Sequence, residues 1–225
     1  MSATSYLKPS DLPEIIPIFP LRGAILLPRA SLPLNIFEPR YLQMIGDTMS
    51  GDRVLGIIQP VGGDESEESP ESHGIGVRKV GCAGRITSYQ ELDDGRFVIT
   101  LTGVARFKVL EEVTHNAPYR SVRCDSAMFI QDFDPGRGED DVDRESLLRV
   151  LKGYLEANRL KADWNSIVRA PSEFLINALS VMSPYGPEEK QALLEAADLK
   201  TRADVLVALA EMEMASGSSS GGTLQ

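Results

Sequence analysis

The sequence contains few of the residues on which nucleophilic and metal-assisted catalysis depend. Its 225 residues include only two histidines and two cysteines, and these do not have the spacing of a zinc site. The dipeptide Gly-Lys, which a phosphate-binding P-loop requires, is absent, and so is the pattern Gly-x-Gly-x-x-Gly. These absences argue against a zinc enzyme and against nucleotide binding by a standard glycine-rich loop.

Long apolar runs and basic residues are also scarce. No run approaches the roughly 18 apolar residues that a membrane-spanning helix needs, and residues 1–11 lack the pattern of a secretory signal. Lys and Arg number 23 against 33 Asp and Glu, which gives a formal net charge of −10. Because phosphate backbones and anionic membranes are bound mainly through Lys and Arg, we expect neither nucleic acid nor membrane as a partner.

The two cysteines, Cys82 and Cys124, both lie in strand-like segments. Unpaired cysteines in such positions are usually small buried hydrophobes of a protein in a reducing compartment. Together with the missing signal sequence, this pattern predicts a cytoplasmic protein.

No catalytic, cofactor or metal site is predicted from the motifs that are present. The one formal Gly-x-Ser-x-Gly, at 217–221, lies in a Ser/Gly-rich tail and not between a strand and a helix. The loop at 62–72 has five carboxylates and no basic residue, so we expect a solvated excursion, with a metal site as the weaker alternative. No positioned base or activated nucleophile stands out, and we therefore expect no enzyme and no cofactor.

An apolar stretch near the N-terminus is interrupted by prolines. They are Pro13, Pro17, Pro20, Pro28, Pro33 and Pro39. Proline removes a donor from a β-ladder and is confined to edges, strand starts and bulges, so the stretch should form neither a long helix nor a central strand. It predicts short strands with kinked entries, followed by a short helix that begins at Pro39.

The hydrophobic period changes along the chain. It is two up to about residue 130, with Ala127–Ile130 as the last strand material, and helical after about residue 140. Gly81 and Gly84 predict bulges or bends, and Asp93-Asp94-Gly95 predicts a hairpin turn. Such glycines favour a strongly coiled sheet or a small barrel. In the helical part, Thr201-Arg202-Ala203-Asp204 has the spacing of a capping box. The predicted fold class is α+β, with a β-rich subdomain at 13–130, a hinge at 131–145, a helical bundle at 146–214 and a disordered Ser/Gly tail at 215–225.

Six motifs, in order, resemble the N-terminal, substrate-binding domain of the ATP-dependent Lon protease. The longest runs from Pro17-x-Phe19-Pro20-Leu21 through Leu27-Pro28 to Leu32-Pro33-Leu34-x-Ile36-Phe37-Glu38-Pro39-Arg40-Tyr41. The others lie at 81–86, 94–96, 101–107, 171–179 and 189–195. The resemblance implies a PUA-like β pseudo-barrel followed by a helical bundle. It does not extend to the ATPase and serine–lysine protease modules of full Lon, so we expect a stand-alone, non-proteolytic protein.

The resemblance implies a non-catalytic module that binds unfolded or degradation-tagged polypeptide, as an adaptor in protein quality control with a protease as a further partner. Two other functions stay open from the residues: an RNA-binding PUA-like module, and an enzyme with an unrecognised site. The residues expected to contact polypeptide are Pro20, Leu21, Pro28, Phe37, Glu38, Arg40 and Tyr41.

Overall fold

The computed structural model describes residues 6–62, 76–157 and 163–219. Residues 63–72 of the predicted acidic loop lie outside these ranges. The strands are β1 (Ile15–Pro20), β2 (Ser31–Ile36), β3 (Val54–Ile58), β4 (Val80–Glu91), β5 (Phe97–Val113) and β6 (Arg120–Asp125). The helices are α1 (Pro39–Ser50), α2 (Arg144–Ala157), α3 (Trp164–Arg169), α4 (Ser172–Met182), α5 (Pro187–Glu195) and α6 (Leu199–Ser219).

The six strands form one sheet that closes on itself through β5. Their order is β2-β5-β4-β3-β1-β6, and an additional β5–β6 pairing completes a ring of five strands with β2 outside it. All pairings are antiparallel except that of β1 with β3. Strand β5 makes this closure possible because its 17 residues are long enough to pair with β2, β4 and β6. The α+β fold class predicted from the sequence is confirmed.

Proline positions explain the shape of the N-terminal strands. Pro33 is exposed in β2, which has β5 as its only strand partner in the described sheet, as expected for an edge strand. Strand β1, however, lies between β3 and β6, and the prediction that the proline-rich stretch forms no central strand is wrong. The reason is that β1 pairs with β6 through 15–18 and with β3 through 18–20, so Pro17 lies only in the half that faces β6.

Several local predictions are confirmed. Helix α1 begins at Pro39, with Glu38 as its N-cap residue. The β4–β5 turn contains Gly95 at φ 81°, which glycine adopts without strain. The register of β4 against β5 shifts at Ala83/Gly84, where a bulge was expected.

The segment after β6 differs from the prediction. Ala127–Phe133 is a 3-10 helix rather than a strand. Its first amide donates to the Asp125 carboxylate, and the turn places Asp132 against Arg106 of β5. These contacts are made with residues outside the segment itself, so the local apolar pattern does not reveal them.

The helical part also departs from the predicted boundaries. The N-terminus of α6 is capped by Asp198, whose Oδ1 accepts the Thr201 amide at 2.7 Å, and not by Thr201 as the capping-box spacing suggested. The helix continues to Ser219, five residues into the segment predicted as a disordered tail. The predicted hinge at 131–145 is packed, because Phe133 and Val142 are both buried.

The barrel and the helices share one buried cluster, whereas a second cluster, which includes Ile18, Phe107 and Val122, belongs to the barrel strands alone. Ile99 and Leu101 of β5 belong to the same buried cluster as Ile176 of α4, Leu193 of α5 and Leu206 of α6. The loop 21–30 lies between the two parts: Arg29 donates its amide to the Gly103 carbonyl at 2.8 Å, and Gly103 donates to the Ala30 carbonyl at 2.9 Å.

We predict that Gly103→Ala destabilises the protein by about 3 kcal/mol, because an added Cβ would lie 1.9 Å from the Leu27 carbonyl oxygen and force the loop away from β5. Gly46→Ala is the matched control: nothing lies within 4 Å of its Cβ position in α1, and alanine favours a helix by up to about 1 kcal/mol. Guanidinium denaturation measures both. Equal stabilities for the two variants would contradict this account of the loop.

Candidate functional site

Phe37 is the most exposed of the aromatic residues predicted to contact polypeptide. It follows directly after β2 and is 63% exposed, although it belongs to a strongly apolar segment. Strand β2 ends at Ile36 and α1 begins at Pro39, so Phe37 sits in the short connection between them. Its side chain is therefore available at the surface.

Glu38, Arg40 and Tyr41 form a local cluster at the start of α1. The Arg40 guanidinium pairs with the Glu38 carboxylate at 2.9 Å and lies 4.6 Å from the centre of the Tyr41 ring. Tyr41 itself is buried, and its ring packs against Phe19 with 4.1 Å between centroids. The predicted segment thus divides into an exposed Phe37, a half-exposed ion pair and a core tyrosine.

The remaining predicted contact residues differ in exposure. Pro20 and Leu21 are half-buried at the end of β1, where the Leu21 amide donates to the Ile58 carbonyl at 2.9 Å. Pro28 is buried, and its carbonyl accepts the Asn177 side-chain amide at 3.0 Å. Pro20 and Leu21 therefore stay partly accessible, whereas Pro28 does not.

Other apolar side chains accompany Phe37 where β2, β4 and β5 end beside the β4–β5 turn. Phe97 pairs with Ile36 across the strands, and its ring lies 5.1 Å from that of Tyr89. Tyr89 and Val98 are exposed and Phe97 is half-buried. Phe97 and Val98 are consecutive in β5 and therefore point to opposite faces of the sheet. We call the strand ends that carry Phe37, Tyr89, Phe97 and Val98 the hairpin-end patch. The sequence analysis did not single out Tyr89, Phe97 or Val98, because strand alternation alone does not show which strand ends stay uncovered.

A buried ion pair lies further along β5. Arg106 of β5 is 1% exposed, and its guanidinium binds both carboxylate oxygens of Asp132 at 2.9 Å. Its Nη1 also donates to the carbonyls of Leu194 and Ala196. Asp132 accepts the Arg106 backbone amide as well, so this one residue pair fastens the barrel, the 3-10 turn and the end of α5 together.

Sequence reasoning missed Arg106 because it occupies an alternating position between Ala105 and Phe107, which predicts a solvent-facing side chain. All three residues are in fact buried, since helices cover the outer face of β5 at this point. When the outward-facing residue of a strand is charged, the neighbouring sequence does not show that the strand is buried on both faces.

A second ion pair lies beside the first. Arg29, at φ 63°, forms a two-point pair with Glu173 of α4, and its Nη1 donates to the Asp132 carbonyl at 2.7 Å. Glu173 also accepts the Gly136 amide at 2.9 Å. Together the two pairs form one wall of a cavity of about 300 Å³.

His115, Cys82 and Cys124 are not arranged for nucleophilic catalysis. His115 Nε2 lies 2.9 Å from Ser121 Oγ, but His115 Nδ1 accepts the Ala117 amide. The ring proton is therefore on Nε2 and is donated to the serine, so the ring cannot accept the serine proton there. Burial raises the pKa of the Cys82 thiol, and burial followed by the charge of Asp125 raises the pKa of Cys124 to about 11. Neither thiol forms a thiolate near neutral pH.

In residues 6–62, 76–157 and 163–219, no group of three or more His, Cys, Asp or Glu could hold a metal ion. No helix in these ranges is long and apolar enough to cross a membrane.

Comparison with protein families identifies the fold. The sequence model of the ATP-dependent protease La (LON) substrate-binding domain matches residues 15–211, which include the barrel and nearly all of the helical part. The chain belongs to this family. The match covers both the hairpin-end patch and the buried ion pairs, so both features lie within the Lon substrate-binding domain.

Curated relatives are full Lon proteases. The Lon protease of Flavobacterium johnsoniae is 26% identical over 201 residues, which are 86% of this chain and 23% of that protein. Lon protease 2 of Myxococcus xanthus is 24% identical over 216 residues, or 93% of this chain and 25% of that protein. The chain therefore spans about a quarter of the length of these relatives.

Solved structures of Lon N-terminal domains share the fold. The Lon N-terminal domain protein from Xanthomonas campestris matches with a TM-score of 0.60 and 21% identity, covering 86% of this chain and 97% of that one. The N-terminal domain of the Mycobacterium avium complex Lon protease matches with a TM-score of 0.62 and 15% identity, covering 88% and 98%. At these identities the likeness concerns the fold alone.

We predict that Asp132→Asn lowers the free energy of unfolding of this Lon domain by about 3 kcal/mol, because it leaves the buried Arg106 guanidinium without its counter-charge. Asp204→Asn is the matched control, since Asp204 pairs with Lys200 on the exposed face of α6, and it should leave the stability nearly unchanged. Urea denaturation gives both values. A loss no larger for Asp132→Asn than for the control would contradict the role assigned to the pair.

Proposed function

We propose that this chain binds unfolded or degradation-tagged polypeptide at the hairpin-end patch, without catalysing a reaction on it. The observation that carries the proposal is the exposed Phe37 in a chain that belongs to the Lon substrate-binding domain family. An apolar side chain exposed beside other apolar residues is a common mark of a binding surface.

The form of the patch suits polypeptides of varied sequence. Phe37, Tyr89 and Val98 offer apolar area on strand ends, without an enclosing pocket that would select one side chain. Two ion pairs lie next to these residues in the chain, Glu38–Arg40 and Asp94–Arg96. Contacts of this kind are weak individually, so binding should favour extended or unfolded segments that present several apolar residues.

The role in the cell that we propose is that of an adaptor in protein quality control, with a protease as a further partner. The curated relatives that support this role are Lon proteases, of which this chain matches about a quarter. The proposal concerns recognition only. The proteolytic and ATPase activities of the relatives are not part of it.

We predict that Phe37→Ala weakens binding of a fluorescently labelled, permanently unfolded protein by about ten- to a hundredfold, because burial of a phenyl ring contributes about 1.5–3 kcal/mol. Phe174→Ala is the matched control, since Phe174 is 55% exposed on α4, away from the patch in the chain. Fluorescence anisotropy measures the affinities, and thermal melting should show both variants folded, because neither ring is in the core.

Two results would contradict the proposal. One is the absence of binding by the native chain to a panel of unfolded proteins and degradation tags that a known chaperone binds in the same assay. The other is an equal loss of affinity in Phe37→Ala and Phe174→Ala, which would place the contact elsewhere. Labelled single-stranded RNA in the same assay tests the RNA-binding alternative, and with a net charge of −10 we expect no binding even at low salt.

A further inference from the structure

A charged cavity of about 300 Å³ lies where the barrel meets the start of α6, apart from the hairpin-end patch. Five basic and four acidic side chains are among the residues that line it. The basic residues are Arg29, Arg106, Arg137, Lys200 and Arg202, and the acidic residues are Asp132, Asp141, Glu173 and Asp198. A concentration of basic residues is unexpected in a protein of net charge −10. The five basic side chains differ in how carboxylates compensate their charge.

Two of the arginines are neutralised within the cavity wall. Arg106 pairs with Asp132, and Arg29 pairs with Glu173, each through two guanidinium nitrogens. Every guanidinium nitrogen of these two side chains makes at least one hydrogen bond. The two pairs therefore leave no net charge and no nitrogen without a partner.

Arg202 differs from both. Its Nε donates to the Leu193 carbonyl at 2.9 Å and its Nη1 to the Asn177 side-chain oxygen at 3.0 Å, which are both neutral acceptors. It has no ion pair with any carboxylate in the described part of the chain. Its Nη2 is buried and has no hydrogen-bond partner there. A buried guanidinium with an unused donor and no counter-ion is costly, and buried charges are normally paired.

The surroundings of Arg202 disfavour its positive charge. Burial, followed by repulsion from the neighbouring Arg106, lowers the pKa of the Arg202 guanidinium to about 10. The group still carries its charge at neutral pH. An anion in the cavity would offset both effects.

We propose that the cavity binds a carboxylate, which neutralises Arg202 and accepts a hydrogen bond from its Nη2. Arg202 is the one basic residue of this wall without an ion pair in the described residues, and a single negative charge would neutralise it. Phosphate carries about 1.5 to 2 negative charges at pH 7, which is more than this one cation balances. Guanidinium and carboxylate are also well matched in hydrogen-bonding geometry.

Access to Nη2 requires movement of the wall, because the atom is covered by protein. Arg137 and Lys200 are the exposed basic residues of the wall, and their only ion pairs in the described structure are with Asp134 and Asp204, within their own segments. These long side chains can move without loss of core packing.

The carboxylate could belong to a small molecule or to the C-terminus of a bound polypeptide. The second source rests on the proposed function, whereas the first does not. Pro28 and Arg29 line the cavity at the start of the chain segment that leads along β2 to Phe37. An extended segment of about eight residues would span that distance at about 3.3 Å per residue.

The first arm of the test uses two N-terminally labelled decapeptides of identical apolar sequence, one with a free C-terminal carboxylate and one with a C-terminal amide. If the polypeptide end is the ligand, the acid should bind at least about tenfold more tightly by anisotropy, as expected for a charge-assisted hydrogen bond. Equal binding of the two peptides would leave the proposed function intact and exclude this source.

The second arm uses acetate alone. If a small carboxylate is the ligand, 50 mM sodium acetate should raise the melting temperature by about 2 °C relative to sodium chloride of equal ionic strength, through binding to the folded state. Sodium phosphate should not reproduce the shift. Failure of both peptides to bind, together with an acetate shift, would contradict the proposed function and support the carboxylate site.

Arg202→Met removes the charge while keeping most of the side-chain volume, and it should abolish the acid preference or the acetate shift. Arg149→Met, at an exposed position of α2, is the matched control and should retain them. If Arg202→Met does not fold, the two arms on the native chain decide alone. Equal binding of acid and amide together with no acetate shift, or an acid preference that persists in folded Arg202→Met, would overturn the proposal.

Discussion

The buried pair of Arg106 and Asp132 determines how the two parts of this molecule are joined. Arg106 projects from β5, the strand that closes the barrel, and Asp132 projects from the 3-10 turn that leads to the helices. Because a carboxylate and a guanidinium cannot remain buried singly, the turn must dock where Asp132 meets Arg106. The same guanidinium holds the end of α5 through two carbonyls, so the helices take their position from this contact.

Docking of the helices has consequences for the surfaces that remain. It covers the outer face of β5 around Arg106 and creates the charged cavity between β5, the 3-10 turn and α6. At the N-terminal end of β5, Val98 stays exposed and Phe97 half-buried. Both proposed binding features are thus consequences of where β5 is covered and where it is not.

How far the sequence predicts this structure depends on the range of the interactions. The helix start at Pro39 and the turn at Gly95 follow from backbone preferences of single residues, and both were predicted correctly. The burial of Arg106 depends on a residue 26 positions away, and no local pattern contains that information. The same holds for the candidate site. The exposure of Phe37 depends on which strands end beside it. Arg202 lacks a counter-charge because its acceptors, on α4 and α5, are neutral.

Barrel and helices should therefore unfold as a single cooperative unit joined through Arg106 and Asp132. Hydrogen exchange of the β5 and α4 amides at increasing guanidinium concentration measures this cooperativity. The slowest amides of both elements should converge on one free energy of opening, because β5 and α4 contribute to the same buried cluster. Exchange of the α4 amides at a much lower free energy, with β5 still protected, would contradict it.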